Sequence, residues 1–430
     1  MFIGIDLGTT GCKTVMYDEK GNSLCEYNKE YELIFNDGFV EQDANMWWQL
    51  VREGLCFTVE KTGISDIKGI SVSTQGISFV PVDRDGNTLY NALSWLDLRA
   101  EEQALRLRER FCEEYIFSVT GKPCIADYSL PKLMWFYENR REIYDRTDKF
   151  LFPLDFLNLR LCGIPLTDYT VAGGTMLYDI HNMCWCPELL KFSGISEDKL
   201  PTVGCMGDEV GVLLPEVARE CGIDEGCRVY LGGQDQKLAA IGAGIDKDCC
   251  TVSFGTATAI SKLTDIVGEN CCLFRFDRDS YITETALMTT GSALRWLSRN
   301  LFSGKSYREM DLLAEESVPG ANGVTFKCDL TSGGAISGIT LSTTGADIIY
   351  ALYEGVSRDI SKAVESMGGA SSLKVFGGGA KSDIWCRILS RISSLPVEIL
   401  NTSETASLGA ARLASRGAIP PAQCRKIINE

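Results

Sequence analysis

Two glycine- and threonine-rich segments have the composition of phosphate-binding turns. The first, residues 8–11, follows the apolar start of the chain, and the second, residues 255–258, follows the apolar residues 250–254. Turns of this kind present backbone N–H groups and hydroxyls to an anion, and Lys13 adds a cation to the first. Asp6, just before the first turn, could hold Mg²⁺ through water. An ordinary β-hairpin is the alternative interpretation of each turn.

A carboxylate also follows a predicted strand. Asp235 lies in the segment Gly-Gly-Gln-Asp-Gln, just past the apolar residues 228–231, at a position suited to a general base; a turn aspartate is the commoner alternative. The chain has one histidine, His181, so no histidine cluster can hold zinc and a Ser-His-Asp site would have to include it. Proton transfer is therefore expected to depend on a carboxylate.

Two further segments could recognise a base or a sugar. Residues 377–379 are three consecutive glycines, which let a backbone approach a planar ligand closely because glycine has no Cβ; a surface loop is the alternative. Trp95, Asp97 and Arg99 combine residue types that bind sugars by stacking and hydrogen bonding. Their alternative is the start of a helix with a local ion pair.

The elements that must position these residues are strands and helices in both halves of the chain. Asp43 is the predicted N-cap of a helix from about Ala44 to Lys61, and residues 98–200 are richer in helical pattern. Strands that end in Gly/Thr turns occur in both halves, which predicts two α/β domains, residues 1–225 and residues 226–430. Apolar runs predict strands at residues 2–5, 14–17, 69–72, 79–82, 228–231, 250–254 and 373–376.

Composition excludes several classes of function. The chain has 430 residues, with 42 Lys and Arg against 58 Asp and Glu and a net charge of −16, so it has no overall attraction for nucleic acid or anionic lipid. No apolar run approaches the roughly 20 residues that span a bilayer, and the first residues do not form a secretory leader. The 18 cysteines are expected to be reduced thiols. A cytoplasmic protein is the expectation.

In this order, these segments and others between them resemble the FGGY family of carbohydrate kinases, almost from end to end. The residues that carry the resemblance are Asp6–Thr10, Glu41-Gln42-Asp43 with Trp47-Trp48, Trp95 with Asp97 and Arg99, Thr120-Gly121 with Lys132 and Trp135, residues 170–179, residues 235–244, residues 253–256, residues 291–296, Glu354-Gly355 and residues 378–385. Each match is weak alone, but the ordered set is specific.

The resemblance implies an α/β fold of two actin-like (ribonuclease H-like) domains with an interdomain active-site cleft. Residues 1–225 would bind the sugar and carry the first phosphate loop, and residues 226–430 would carry Asp235 and bind the nucleotide. ATP would contact Gly8, Thr9, Thr10, Lys13, Gly255, Thr256, Gly378, Gly379, Ala380 and Asp383. Mg²⁺ would lie near Asp6 and Asp235. The sugar would contact Gln75, Gly76, Trp95, Asp97, Asp235 and Gln236, and Asp235 would accept the proton of the attacking hydroxyl.

Several segments depart from the patterns of known family members. Xylulokinases carry Gln-Met-His-Gly where this chain has Gln-Gly-Ile-Ser at residues 75–78, so the sugar-facing histidine is absent. Glycerol kinases carry Gln-Arg-Glu there. Residues 76–80 resemble the rhamnulose and fuculose kinases more closely, whereas residues 41–43, Trp95 and Asp97 resemble the xylulose branch. Residues 326–338 are shorter than the corresponding stretch of the family.

The interpretation that follows is ATP-dependent phosphorylation of a small sugar, with a ketopentose such as xylulose as first substrate. Rhamnulose, fuculose or a polyol are the alternative substrates. A catalytically impaired sensor or assembly protein that binds nucleotide and sugar on the same fold is the rival function, motivated by the lost Met-His pair and opposed by the retained Asp235. The expected partners are the sugar and ATP, without nucleic acid or membrane, and a homodimer is left open.

Overall fold

A computed structural model describes residues 1–36, 38–330 and 333–430. The strands are β1 (Phe2–Leu7), β2 (Gly11–Tyr17), β3 (Ser23–Glu30), β4 (Ile34–Asn36), β5 (Phe39–Gln42), β6 (Gly69–Thr74), β7 (Val80–Val82), β8 (Ala92–Leu93), β9 (Lys149–Leu151), β10 (Leu166–Asp168), β11 (Tyr178–Asp179), β12 (Cys184–Trp185), β13 (Thr202–Gly204), β14 (Glu209–Val212), β15 (Arg228–Gln234), β16 (Cys249–Phe254), β17 (Thr258–Leu263), β18 (Cys272–Arg275), β19 (Tyr281–Leu287), β20 (Thr325–Lys327), β21 (Ala335–Ser337), β22 (Ser372–Phe376), β23 (Val397–Leu400) and β24 (Cys424–Ile428).

The helices are α1 (Ala44–Thr62), α2 (Glu101–Phe111), α3 (Glu113–Thr120), α4 (Ser129–Asn139), α5 (Arg141–Arg146), α6 (Pro153–Cys162), α7 (Tyr169–Gly173), α8 (Pro187–Ser193), α9 (Pro215–Cys221), α10 (Asp235–Ala243), α11 (Gly291–Leu301), α12 (Tyr307–Ala314), α13 (Gly345–Ser366), α14 (Asp383–Ser393) and α15 (Thr405–Ala414). This mixture of strands and helices confirms the predicted α/β class. Thr331 and Ser332, within the segment predicted to be shortened, lie outside the described residues.

The chain forms two compact units. The first comprises residues 1–242, 272–281 and 406–421, and the second comprises residues 243–271, 282–405 and 422–430. The predicted division at residue 225 differs from this one, because β15 pairs in parallel with β6 and so belongs to the sheet of the first unit. Asp235, which the sequence assigned to the C-terminal domain, therefore lies in the first unit.

The first unit is built on a six-stranded sheet with the order β14-β15-β6-β1-β2-β3. The neighbouring strands β15, β6 and β1 are parallel, and β2 is antiparallel to β1. Every residue of β6 is buried, as expected for a parallel strand that is covered on both faces. The carboxyl ends of these three parallel strands therefore lie side by side.

Helix α1 packs against β2 and β3 of this sheet. The side chain of Asp43 accepts a hydrogen bond from the N–H of Asn45 at 2.9 Å and caps the amino end. Gly63 ends the helix in the left-handed conformation, with φ of 70°. The predicted helix and its cap are confirmed, and its buried face includes Trp47, Leu50, Val51, Leu55 and Val59.

The sheet of the second unit contains β19, β17, β16, β22, β23 and β24 in that order. Strands β16 and β22 are parallel neighbours, so the residues that follow them meet at one end of the sheet. Helix α13 is the longest, with 22 residues, and it packs against α14. Thr344 caps it in a reciprocal arrangement with Asp347.

Strands form at all the apolar runs that the sequence singles out, with small differences at their ends. The largest difference concerns β15, which continues through Gly232 and Gly233 to Gln234, where the sequence suggested a turn. The register of β15 against β6 shifts between Tyr230 and Gly233, which is a β-bulge. Bulges re-aim the end of a strand and are common beside active sites, and only Gly233 and Gln234 separate this one from Asp235.

Gly232 allows β15 and β6 to approach closely. A Cβ at this position would lie 1.7 Å from the carbonyl oxygen of Val72, so we expect Gly232→Ala to lower the free energy of unfolding by about 1–3 kcal/mol. Urea unfolding measures the change. Gly173→Ala is the matched control, because a Cβ there would lie 3.6 Å from its nearest neighbour, Phe274. Equal stabilities of the two variants would contradict the close approach.

Candidate active site

The predicted site residues of the first unit follow the three parallel strands. The turn after β1 contains residues 8–10, Gln75 follows β6, and Asp235 follows β15. The strands are neighbours in the sheet, so these residues occupy one end of it. Ligands of parallel α/β sheets bind outside the carboxyl ends of the strands, which makes this end the candidate site of the unit.

The turn between β1 and β2 has its carbonyl oxygens hydrogen-bonded from within the unit. The Tyr31 hydroxyl donates to the carbonyl of Gly8 at 2.6 Å, the Gln42 amide donates to that of Thr9 at 2.8 Å, and the Tyr31 N–H donates to that of Thr10 at 2.9 Å. Thr10 itself is exposed. With the carbonyls occupied, the turn presents the N–H and hydroxyl of Thr10, a donor set that fits a phosphate.

Asp6 lies in a row of residues that crosses the sheet. The register aligns Asp6 with Lys13 on β2 and with Ser73 on β6, and it aligns Ser73 with Gly233 on β15. The Ser73 hydroxyl donates to Asp6 Oδ1 at 2.7 Å. Lys13 also forms an ion pair with Glu26, with a distance of 3.4 Å between Nζ and Oε1. The sheet thus orients the half-buried Asp6 carboxylate two residues before the turn.

Gln75 and Trp95 are both linked to the first turn. The Gln75 amide donates to Gln42 Oε1 at 3.0 Å, and Gln42 in turn donates to the carbonyl of Thr9. The Trp95 indole N–H donates to the hydroxyl of Thr9 at 2.8 Å. Two predicted sugar contacts are therefore tied to a predicted phosphate contact, through hydrogen bonds that sequence reasoning did not anticipate.

Asp97 has a different environment from a ligand-facing residue. Its side chain and that of Arg99 have no exposed surface, and both carboxylate oxygens accept hydrogen bonds from Arg99 at 2.8 Å. Oδ2 also accepts the N–H of Val40 at 2.6 Å, and Arg99 reaches Glu41 at 2.8 Å. In this arrangement Asp97 holds Arg99 and strand β5 in place, and it has no exposed atom for the predicted sugar contact.

Lys132 holds the segment that carries Trp95. Its ammonium donates to the carbonyls of Ser94, Trp95 and Asp127 at 2.8, 3.1 and 2.6 Å, and the residue is buried. Burial lowers the pKa of Lys132 to about 7, against the opposing charge of Asp97. The lysine of the family pattern is thus a structural support for the loop that carries Trp95.

Asp235 begins helix α10 directly after β15. Its Oδ1 accepts hydrogen bonds from the Gln234 side-chain amide at 2.6 Å and from the N–H of Gln236 at 2.7 Å. All three residues are half-buried. A Cβ on Gly76 would lie 3.1 Å from Gln234 Cγ, so the segment after β6 lies close to the residue before Asp235. The predicted catalytic residue and Gly76 are brought together.

Ile77 has a strained backbone next to Gln75 and Gly76. Its φ is 71°, and the N–H of Ser78 donates to the carbonyl of Gly76 at 2.7 Å, the pattern of a γ-turn centred on Ile77. A β-branched residue rarely adopts this conformation, and such strain often marks functional sites. Ile77 is partly exposed at the position where xylulokinases carry the sugar-facing histidine.

The predicted phosphate turn of the second unit packs against the start of helix α11. The N–H of Gly291 donates to the carbonyl of Gly255 at 3.1 Å, and the N–H of Ser292 donates to that of Thr256 at 3.0 Å. Arg295 donates to the exposed Thr256 hydroxyl at 3.3 Å. As in the first unit, the carbonyl oxygens of the turn are occupied and an exposed threonine, beside a guanidinium, faces outward.

The glycines after β22 lie beside the end of β16. A Cβ on Gly379 would lie 2.3 Å from the Phe254 ring, whereas one on Gly378 would lie 4.0 Å from the carbonyl oxygen of Phe254. Of these two predicted adenine contacts, Gly379 is therefore the one that is packed closely on this strand. Ala380 is buried. Asp383 forms an ion pair with Lys426 at 2.8 Å, and the hydrogen bond from Lys426 lowers the pKa of Asp383.

Within residues 1–36, 38–330 and 333–430, no group of three or more His, Cys, Asp or Glu side chains could hold a metal ion. Mg²⁺ that binds together with a nucleotide commonly contacts only one or two protein carboxylates, and Asp6 and Asp235 are the two that the sequence predicts for it. No helix of the same described residues is both long and apolar enough to cross a bilayer.

Solved structures share this fold. A gluconate kinase from Lactobacillus acidophilus superimposes with a TM-score of 0.93 at 24% identity, covering 100% of this chain and 93% of that one. A xylulose kinase from the same organism has a TM-score of 0.92 at 24% identity, covering 100% and 93%. These likenesses confirm the predicted α/β fold of two actin-like domains.

Sequence comparisons extend the likeness to the family. A xylulose kinase of Bacillus subtilis is 31% identical over 96% of this chain and 88% of the relative. An L-fuculokinase of Escherichia coli K12 is 27% identical over 95% of this chain and 90% of the relative. The family models for the N-terminal and C-terminal domains of FGGY carbohydrate kinases match residues 1–242 and 271–418. The chain thus belongs to the FGGY family of carbohydrate kinases, as its ordered motifs predicted.

Proposed function

We propose that this carbohydrate kinase transfers a phosphoryl group from Mg²⁺-bound ATP to a hydroxyl of a ketopentose, with xylulose as the first candidate and Asp235 as general base. The observation that carries the proposal is the convergence of Asp235, Gln75 and the turn at residues 8–11 on one end of a parallel sheet. A base, a polar sugar contact and a phosphate-binding turn are what this reaction requires from a single surface.

Phosphoryl transfer depends on positioning and on charge stabilisation more than on covalent help from the protein. Asp235 would accept the hydroxyl proton as the new O–P bond forms, and its orientation would be held by the hydrogen bonds from Gln234 and Gln236. A carboxylate within hydrogen-bond reach of the hydroxyl suffices for this step, so a chain with a single histidine can perform it.

Asp6 and the two threonine-containing turns would bind the ATP–Mg²⁺ complex. Mg²⁺, when bound, neutralises charge on the phosphate oxygens. Asp6 is oriented by Ser73 and would contact the ion through water, with Asp235 as the second carboxylate. Thr10 and Thr256, both exposed, would donate to phosphate oxygens with Lys13. The glycines at residues 378–379 and Asp383 would lie near the adenine.

Two observations guide the choice of sugar. Relatives named xylulose kinase and L-fuculokinase both align with more than nine-tenths of the chain, which favours a ketose. Ile77 presents hydrocarbon where xylulokinases carry histidine, so one hydroxyl contact of xylulose is replaced by an apolar surface. This favours the 6-deoxyketoses rhamnulose and fuculose as the second candidates, because their methyl groups match such a surface.

The test is ADP release measured across xylulose, ribulose, rhamnulose, fuculose, glycerol and erythritol. We expect kcat/KM for the preferred ketose to exceed that for glycerol by about tenfold to a hundredfold, the range that a few pocket contacts provide. If activity is highest on fuculose or rhamnulose, that sugar rather than xylulose is the preferred substrate. Binding of sugar and ATP without any sugar-stimulated ADP release would contradict the kinase proposal and favour the sensor.

Trp95→Phe tests the link between the loop that carries Trp95 and the turn at residues 8–11. It removes the 2.8 Å hydrogen bond to Thr9 and keeps an aromatic ring, so we expect the KM for ATP as well as for sugar to rise by about threefold to tenfold, corresponding to one hydrogen bond. Steady-state kinetics with each substrate varied measure this. Trp185→Phe is the control, because its indole donates instead to Pro201 at 3.1 Å. An unchanged KM for ATP in Trp95→Phe would disprove the link.

A further inference from the structure

The residue before Asp235 is held by a side chain from helix α7. Strand β14 pairs with β15 at residues 228–230, and the backbone of Leu231 bonds to Gly207 and Asp208, just before β14. The backbone N–H of Gln234 instead donates to the hydroxyl of Thr170 at 3.0 Å. Thr170 is fully buried. Its hydroxyl therefore replaces a strand partner at the end of β15.

Asp168 determines the direction of this hydrogen bond. Asp168 Oδ2 accepts the Thr170 hydroxyl and the Thr170 N–H, both at 2.8 Å, and Oδ1 accepts the N–H of Val171 at 3.0 Å. Since a hydroxyl has one proton, a Thr170 hydroxyl that donates to Asp168 must accept from Gln234. Asp168 is also fully buried, so solvent does not compete for these bonds.

The chain of contacts ends at the proposed base. The side-chain amide of Gln234 donates to Asp235 Oδ1 at 2.6 Å, so a displacement of the Gln234 backbone would move the donor that orients the Asp235 carboxylate. The fit around the chain is close, because a Cβ on Gly233 would lie 3.0 Å from the Thr170 hydroxyl. Errors of about 1 Å in a reacting group can cost about a hundredfold in rate.

We propose that Asp168 and Thr170 are positioning residues for Asp235, which they orient through the backbone and side chain of Gln234. The inference rests on the proposed role of Asp235 as general base. Neither residue needs to touch sugar or nucleotide, so their effect is expected on kcat rather than on KM. Both residues were outside the set of site residues predicted from the sequence, where Thr170 was noted only as part of a family pattern.

Thr170→Val tests the proposal, because valine has the shape of threonine without its hydroxyl. With xylulose, or with whichever panel sugar gives the higher rate, we expect kcat to fall by about tenfold to a hundredfold while KM for ATP and sugar changes less than about threefold. Thr170→Ser keeps the hydroxyl and should restore kcat to within about threefold of wild type. Thr74→Val is the matched control. It removes a buried hydroxyl for which the described residues provide no hydrogen-bond partner, on the strand residue paired with Gln234.

A double-variant cycle separates positioning from a general loss of structure. If Thr170 acts through Asp235, adding Thr170→Val to Asp235→Asn should leave the residual rate of Asp235→Asn unchanged. A further fall equal to that in the wild-type background would overturn the inference, as would a normal kcat in Thr170→Val. If Thr170→Val does not fold, the same cycle is measured with Asp168→Asn. Normal turnover by Asp235→Asn alone would instead reject the proposed general base, so the two failures are distinguishable.

Discussion

Asp235→Asn is expected to lower kcat by about a hundredfold to ten-thousandfold, the contribution of a positioned general base, while sugar and ATP still bind. Asparagine has nearly the same shape, and its Oδ1 can accept the hydrogen bonds now made by Gln234 at 2.6 Å and by the N–H of Gln236 at 2.7 Å. The amide oxygen is too weakly basic to take the hydroxyl proton. ADP release measures turnover, and calorimetric titration measures binding of each ligand.

The control for this variant is Asp224→Asn, which alters an exposed aspartate in the connector before β15 and should leave turnover unchanged. Near-normal kcat in Asp235→Asn would eliminate this residue as the base. Loss of ligand binding together with kcat would show that Asp235 contributes mainly through its contacts with sugar and Mg²⁺ rather than through proton transfer.

Arg99→Met is expected to destabilise the first unit by about 3–5 kcal/mol, the cost of breaking a buried ion pair from one side. Arg99 has no exposed side-chain surface, Asp97 has none, and Glu41 is 5% exposed. Methionine would fill part of the volume over the Phe39 ring, which now lies 3.8 Å from the guanidinium carbon. The two carboxylates would remain buried without a cation. Urea unfolding at pH 7 measures the loss.

The pH dependence of this effect has a definite sign. Burial raises the pKa of Asp97, but hydrogen bonds from Arg99 and the N–H of Val40 outweigh it and lower the pKa below its ordinary value of 3.8. In the wild type, Asp97 therefore contributes stability above pH 3.8 that is lost as the pH falls through the folded pKa. Without Arg99, burial dominates and protonation relieves the carboxylates, so the difference between the two proteins should shrink from pH 7 towards pH 4.

Arg141→Met is the matched control for Arg99→Met. Arg141 forms an exposed pair with Asp145 at 2.9 Å on helix α5, with more than half of each side chain exposed, and such pairs contribute little. We expect its unfolding midpoint to match that of the wild type. A similarly small effect of Arg99→Met, or a penalty that grows towards pH 4, would contradict the buried network.

Local signals in the sequence were sufficient for the strands and for helix α1. Asp43 and Gly63 act within a few residues of themselves, and an apolar run such as residues 69–74 forms a strand because of its own composition. The turns of the candidate site could also be predicted from the sequence, because each turn directly follows such an apolar run. The resemblance to the family supplied the roles, which neither turn could have indicated alone.

Contacts between residues far apart in the sequence could not be predicted in the same way. Nothing local to Trp95 indicates that its indole meets Thr9, 86 residues earlier, and nothing near Thr170 indicates its bond to Gln234, 64 residues later. The sequence pattern around Asp97 was ambiguous. Its acid-and-arginine pattern fits either sugar recognition or an internal ion pair, and only the packing of Val40 and Glu41 around it shows that the carboxylate is enclosed. The sequence also did not indicate how far β15 extends, because its continuation passes through Gly232, which packs against the carbonyl oxygen of the distant Val72.

The return of residues 406–421 to the first unit has a consequence for dissecting this enzyme. Helix α15 lies against strand β1 so tightly that a Cβ on Gly4 would overlap the carbonyl oxygen of Ser407 at 1.8 Å, and the Ser407 hydroxyl meets that of Tyr17 at 2.9 Å. A fragment that ends at residue 242 would lack helix α15 and would therefore expose strand β1 to water. Truncation at the carboxyl terminus would therefore damage the amino-terminal half, and the halves are better studied by point substitution than by separate expression.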